Sequence, residues 1–307
     1  MRRRAFLQHL LLGTALPALP ALGGGTALAR VMVVRAEDGA VAEEFLASLR
    51  KAMSGRAVVD EIRLVEALPE IPGDIRLIVP VGVRALRATI AAGPSVPVLA
   101  ALVPRQAYER AVGGAAGRRI TAVYLDQPYA RQLALIRLAL PERKRVGVLL
   151  GNDSRHVLSL LQRPADLHEM QLVESVVESE RALLLSLQGV LSAADVLLAI
   201  PDPTVHNSAA IQNILLAAYR RGVPVVGFSS AYTRAGALLS LHSSPVQLAQ
   251  QVADAALDIL SGRPLPAPRG PREFEVSVNR QVARSMGIDV PGDAQLIQGV
   301  RQMAGGE

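Results

Sequence analysis

Asp202 stands between an apolar run and a helix start in AIPDPTVHNS, residues 199–208. A carboxylate placed there can accept hydrogen bonds from a ligand or cap the helix that follows. Similar residues end other apolar runs: Glu37 and Asp38 after VMVVR, Gly82 after IRLIVPV, and Asn152, Asp153 and Ser154 after RVGVLLG. Thr204 follows Asp202, Ser229 and Ser230 follow VPVVGF, and Ser243 and Ser244 follow LLSLH. In open α/β sheets this carboxyl-terminal edge is where ligands bind, and helix N-termini there favour anions. Capping explains each Ser, Asp or Asn taken alone. Their recurrence on one edge points to a cleft, with Asp202 its strongest single candidate. The ligand-binding set read this way is Asp202, Thr204, Ser229, Ser230, Asn152, Gly82 and Glu37.

Other chemistry is poorly supported. His156, His206 and His242 fall in no H-E-x-x-H or H-x-H spacing, so no metal is expected. Neither a G-x-S-x-G elbow nor a phosphate-binding G-x-x-x-x-G-K-[ST] loop occurs. Cysteine is absent, which excludes thiol catalysis, disulfides and a lipid-bearing cysteine. No cofactor is implied and no catalytic residue is assigned. An exported α/β enzyme stays as an alternative, because catalytic triads assemble in space rather than along the chain.

The elements that position these residues alternate regularly. Apolar runs at 31–35, 57–64, 75–82, 96–103 and 119–125 read as strands, with helices over 39–53 and 83–93. On the first helix Val41, Phe45, Leu46 and Leu49 share one face. The pattern restarts with a helix over 129–141, and strands follow at 144–153, 171–179, 195–203, 223–230 and 236–243. Helices over 179–191 and 207–222 lie among them. Strands that are apolar throughout and alternate with helices imply parallel sheets covered on both faces. Two runs of five strands predict two similar lobes. A helix over 244–262 starts with Ser244 as cap and Pro245 at its first position. The proline-rich segment 263–271, a strand over 272–279 and a helix over 280–287 complete the chain, and GGAAG (113–117) reads as a surface loop.

The chain opens MRRRAFLQHLLLGTALPALPALGGGTALA, a basic start, a short apolar run and the small-x-small triplet Ala27-Leu28-Ala29. This reads as a secretory signal peptide over residues 1–29, cleaved after Ala29. RRRAFLQ resembles the twin-arginine export signal in Arg3, Arg4, Phe6, Leu7 and Gln8. A soluble periplasmic protein is expected. Net charge is +6, falling to +3 without Arg2, Arg3 and Arg4, and no basic blocks interleave with aromatics, so nucleic acid is not an expected partner.

The later segments KRVGVLLGND, DVLLAIPDPTVHNSAAIQNILLAAYRRGVPVVGFSSAYTRAGALLSL, LAQQVADAALDILSGRPLP and FEVSVNRQVARSMGIDVP resemble the ABC-transporter substrate-binding family with a type I periplasmic-binding-protein fold. The resemblance covers most of residues 30–292. It implies an α/β fold of two Rossmann-like lobes with parallel sheets, closing on a small molecule, with hinge crossings near Asp126, Ser243 and Pro271. It divides the chain into one lobe of 30–125 plus about 244–270 and another of 126–243 plus about 271–307. It also implies a non-enzymatic monomer whose membrane partner is a permease or, in a sensing role, a signalling protein. LHSSP at 241–245 has neither the acid nor the aromatic common there in the family, which marks a divergent branch with an unassigned solute.

Overall fold

The computed structural model describes residues 28–114, 119–179, 181–207 and 209–304. The predicted signal peptide falls, except for its last two residues, outside the described residues, as does most of the GGAAG loop.

Two sheets share one strand order. In the first, β1 (Arg30–Arg35), β2 (Val58–Arg63), β3 (Ile75–Val81), β4 (Val98–Val103) and β5 (Ile120–Tyr124) run parallel in the order β2-β1-β3-β4-β5. Helices α1 (Ala40–Met53), α2 (Val83–Ala92) and α3 (Arg105–Val112) link them. The second sheet repeats the arrangement with β6 (Arg145–Gly151), β7 (Gln171–Val177), β8 (Val196–Leu198), β9 (Val225–Gly227) and β10 (Leu239–His242). Its helices are α4 (Tyr129–Ala139), α5 (Val157–Leu167), α6 (Leu183–Ala193), α7 (Ile211–Arg220) and α8 (Ser230–Ala235). After α9 (Pro245–Leu260), β11 (Glu275–Val278) closes this sheet, giving β11-β10-β9-β8-β6-β7, and α10 (Arg280–Ser285) and α11 (Asp293–Ala304) follow.

Burial explains the apolar strands. Val31 to Val34 are each fully buried because α1 and α9 cover one face of their sheet while α2 covers the other. In the second sheet α4, α5 and α11 cover one face and α6, α7 and α8 the other. One departure from the expected parallel sheets has a topological cause. β11 pairs antiparallel with β10, because the chain reaches it from α9 on the first sheet rather than through a crossover helix. Helices α3, α8 and α11 were not expected from the sequence. The predicted strand 223–230 is shorter because α8 begins at Ser230. Ser244 caps α9 through a reciprocal pair with Gln247, as its sequence suggests.

The chain passes between the two sheets three times: after β5, after β10 and between α9 and β11. Buried Gln127 ties these passages together. Its Nε2 donates to Ser243 Oγ at 2.6 Å and to the Glu273 carbonyl at 3.4 Å, and its Oε1 accepts from Arg131 Nη1 at 3.0 Å. Arg131 also donates to the Pro271 carbonyl at 2.8 Å, and Ser243 Oγ to the Glu273 carbonyl at 2.6 Å. Gln251 accepts from Arg272 N at 2.7 Å and donates to the Gly270 carbonyl at 3.0 Å. Gln127→Ala removes the amide that joins all three passages and leaves their partners short of it. Equilibrium urea denaturation should show a loss of about 1–3 kcal/mol.

Candidate ligand-binding cleft

Parallel strands point all their carboxyl ends to one edge, and here the edges of the two sheets lie on either side of a cavity of about 490 Å³. The first sheet's side supplies Val41 and Glu44 from the start of α1, and Leu125 and Asp126 after β5. The second sheet's side supplies Phe228, Ser229 and Ser230 after β9, His242 at the end of β10, and Glu275 and Ser277 from β11. Ser243 and Ser244, in the passage between them, also line it. Val41 was expected on the core face of its helix. It is instead 58% exposed and faces the cavity.

Of the candidate residues, the fold brings Ser229 and Ser230 to this cavity, but not Asp202, Thr204, Asn152, Gly82 or Glu37. Glu37 is exposed at the end of β1, and its neighbour Asp38 is held by Arg35 at 3.0 Å and by Arg63. Gly82 turns into α2 with φ of 87°, a left-handed value that glycine adopts freely. Asn152 is exposed in a single 3-10 turn at Asn152–Ser154, where Asp153 pairs with Arg110 of α3 across the gap between the sheets. The three histidines flagged in the sequence do not converge. His156 is exposed, His206 is buried, and His242 Nε2 meets Ser277 Oγ at 3.0 Å. Among the described residues no group of three His, Cys, Asp or Glu could hold a metal ion.

Sequence reasoning passed over Glu44, Phe228, Leu248 and Glu275 as parts of the cleft. Their signal was present only in part: each lies within a few residues of a strand end or helix start, but Glu275 reaches the edge through an antiparallel strand whose partner is not readable from the chain.

The family model described as ABC transporter substrate binding protein matches residues 59–295. The chain belongs to that family. None of the curated protein sequences compared with it matches. Among solved structures, a conserved domain protein from Vibrio cholerae is similar at 21% identity, with 88% of this chain and 98% of that one covered and a TM-score of 0.62. A domain in complex with L-Trp from Streptococcus pneumonia has 15% identity, 88% and 98% coverage and a TM-score of 0.63. A ligand-free, open substrate-binding protein with adhesive properties from Clostridium difficile has 14% identity, 87% and 97% coverage and a TM-score of 0.68. These likenesses show the shared two-lobed α/β fold. The family makes this protein a non-enzymatic, extracytoplasmic solute-binding component of an ABC transporter-like system, and membership implies a small-molecule ligand and a cognate membrane permease.

In this substrate-binding protein Asp202 serves the architecture of the second lobe. It sits at the switch point of that sheet, where β6 and β8 are neighbours although β7 lies between them in sequence. One carboxylate oxygen accepts from Gly151 N at 2.9 Å and Ser154 Oγ at 2.5 Å, and the other from Thr204 N at 2.7 Å and Val205 N at 3.3 Å. The carboxylate approaches so closely that a Cβ on Gly151 would lie 2.7 Å from it. Burial opposes its ionisation, but the hydrogen bonds from Ser154, Thr204, Gly151 and Val205 outweigh burial and hold the carboxyl below its ordinary range. Asp202→Ala strips the partner from four donors, so chemical denaturation should show a loss of about 3 kcal/mol.

His206, 8% exposed, packs edge-on against Phe228 and Tyr232 with ring centroids 6.2 and 5.9 Å away. Neither ring nitrogen has a hydrogen-bond partner among the described residues. Burial pushes its pKa down to about 4 despite the nearby Asp202 carboxylate. The unfolded chain therefore takes up a proton near pH 6.5 that the folded protein refuses until about pH 4. Stability from this source is full above pH 6.5 and falls as pH drops toward 4, by roughly 3 kcal/mol. His206→Phe should flatten the stability profile between those values, measured by denaturation at a series of pH values.

Proposed function

We propose that the cavity between the two sheets is the solute site, and that the lobes close over it. The lobes would comprise residues 30–125 with about 244–270, and 126–243 with about 271–307. Packing supports that division: α9 shares a core with α1 and the first sheet, whereas β11 and α11 share one with α4 and the second. The observation that carries the reading is that both lobes and the passages between them line one cavity of a size suited to a small molecule. A solute touching both sides binds the closed arrangement better than the open one and shifts the population toward it.

Within this site Ser229 and Ser230 are the candidate residues that keep a direct role. Asp202, Thr204, Asn152, Gly82 and Glu37 would act through the shape of the edge. Residues 1–29 act as an export signal. β1 beginning at Arg30, next to Ala29, supports a mature chain that keeps all of β1 and gives up only the bond from Val58 N to the Ala29 carbonyl on cleavage. The mature protein works as a periplasmic monomer delivering solute to a permease.

The test is native mass spectrometry of the protein purified gently from its own cell envelope fraction. A stoichiometric small molecule that leaves on denaturation is expected, and adding it back should shrink the radius of gyration in solution scattering. Ser229→Trp fills the cleft at a position whose side chain makes no helix-cap hydrogen bond. The folded variant should lose the bound mass. Wild type and Ser229→Trp carrying the same solute would place binding elsewhere.

A further inference from the structure

We infer that the solute taken by this cleft is a protonated amine or other organic cation on an apolar body, not a carboxylate or phosphate. The inference rests on the cleft being the solute site. Three carboxylates line the cavity, Glu44, Asp126 and Glu275, and no Lys or Arg does. None of the three has an ion-pair partner among the described residues. Asp126 accepts only a backbone hydrogen bond, from Arg105 N at 2.5 Å.

This contrasts with the rest of the molecule. The chain has more basic than acidic residues, 33 against 27, and arginines hold acids elsewhere on its surface. Glu273, two residues from Glu275, pairs with Arg301 at 2.7 Å, and Asp195 pairs with Arg145 at 2.7 Å. Cations were therefore available, yet Glu44 and Glu275 are without them. Asp126, by contrast, also faces an arginine-lined cavity and has its pKa pushed up by burial, against the opposing effects of backbone hydrogen bonds and Arg105. The one basic-type side chain lining the cavity, His242, is held toward its neutral form by burial, which outweighs the opposing effect of Glu275. Arg234 donates to Ser230 Oγ at 3.0 Å one turn along α8, but does not line the cavity. The cations collect instead in a second cavity of about 450 Å³ that shares Asp126 and is lined by Arg105, Arg163 and Arg269.

Glu44 and Glu275, carboxylates set among low-dielectric walls, focus a negative potential on the space between them. A cationic head is drawn into that space, while an anion would meet repulsion and lose hydration without a donor of opposite charge. Val41, Leu125, Phe228 and Leu248 give the head an apolar body to sit beneath. Ser229 and Ser277 offer hydroxyls that suit either an ammonium or a neutral polar group.

The test uses two sets of probes matched in skeleton: 2-phenylethylamine, 2-phenylethanol and phenylacetate, and hexylamine, hexanol and hexanoate. Isothermal titration of the full mature chain should rank each amine about tenfold or more above its carboxylate. The preference should shrink by about tenfold in the Glu44→Gln/Glu275→Gln protein. Glu43→Gln, on the same helix but outside the cavity, should leave it unchanged. A carboxylate bound as tightly as its amine, or failure of both amines to bind at millimolar concentration, would overturn the assignment. A copurified anionic solute displaced by Ser229→Trp would do the same while leaving the cleft itself as the solute site.

Discussion

Gln127 is the side chain on which the relation between the two lobes depends. Each lobe is a three-layer sandwich with its own core, and those cores would survive a change of angle between them. What spans the joint is polar: one buried amide engaging Ser243, Glu273 and Arg131, with Gln251 performing a similar service for Gly270 and Arg272. Arg131 also lies 5.1 Å from the centroid of the Phe274 ring, and Arg301 lies 5.8 Å from it. Hydrogen bonds are directional but individually worth only about 1 kcal/mol net. A joint built from a few of them holds the passages in register while leaving the lobe angle a low-energy coordinate.

A soft joint is useful only if the surfaces it brings together are hard. In the second lobe Asp202 supplies that hardness by binding the turn after β6 to the loop after β8, across the point where strand order reverses. Its carboxylate is fully engaged by four donors from both segments, which fixes the edge of the lobe at that point. Arg110 and Asp153 connect the lobes at the same edge, but both side chains are substantially exposed. Exposed pairs of that kind contribute about 0–1 kcal/mol, so this one can part without resisting opening. The rigid element is buried and intralobal; the Arg110–Asp153 pair between the lobes is exposed and weak.

That division of labour explains which parts of the fold were legible in the chain. Strand–helix alternation follows from local periodicity, so the two sheets and the capped start of α9 could be read directly. Long segments such as Val31–Val34 announce burial on both faces. Helices α3 and α8 were harder, being short and lying against strand ends that share their apolar residues. The site was less legible for a different reason. A Ser, Asp or Asn after a strand has the same local signature whether it caps a helix, ties two loops or faces solvent. Ser244 is a cap, Asp202 a tie and Ser229 a cleft residue. Only the partners distinguish them: the cap's partner, Gln247, is local and readable, but Gly151 for Asp202 and Gln127 for Ser243 lie far away in sequence.

Charge shows the same limit of local reading. A net charge of +6 invites the expectation of a basic protein suited to anions, but a sum over the chain carries no position. Arginines on helix faces and sheet rims determine the sum. The potential felt by a solute is governed by the few groups around its cavity, where interior walls reduce screening. Around the proposed site the carboxylates are Glu44, Asp126 and Glu275, from a helix start, a lobe passage and an antiparallel edge strand. No window of sequence contains all three. They become neighbours of one cavity because two parallel sheets direct their carboxyl ends toward each other and β11 returns along the second of them. The topology that makes a cleft also selects which charges face it, and in this protein the selection runs against the charge of the whole.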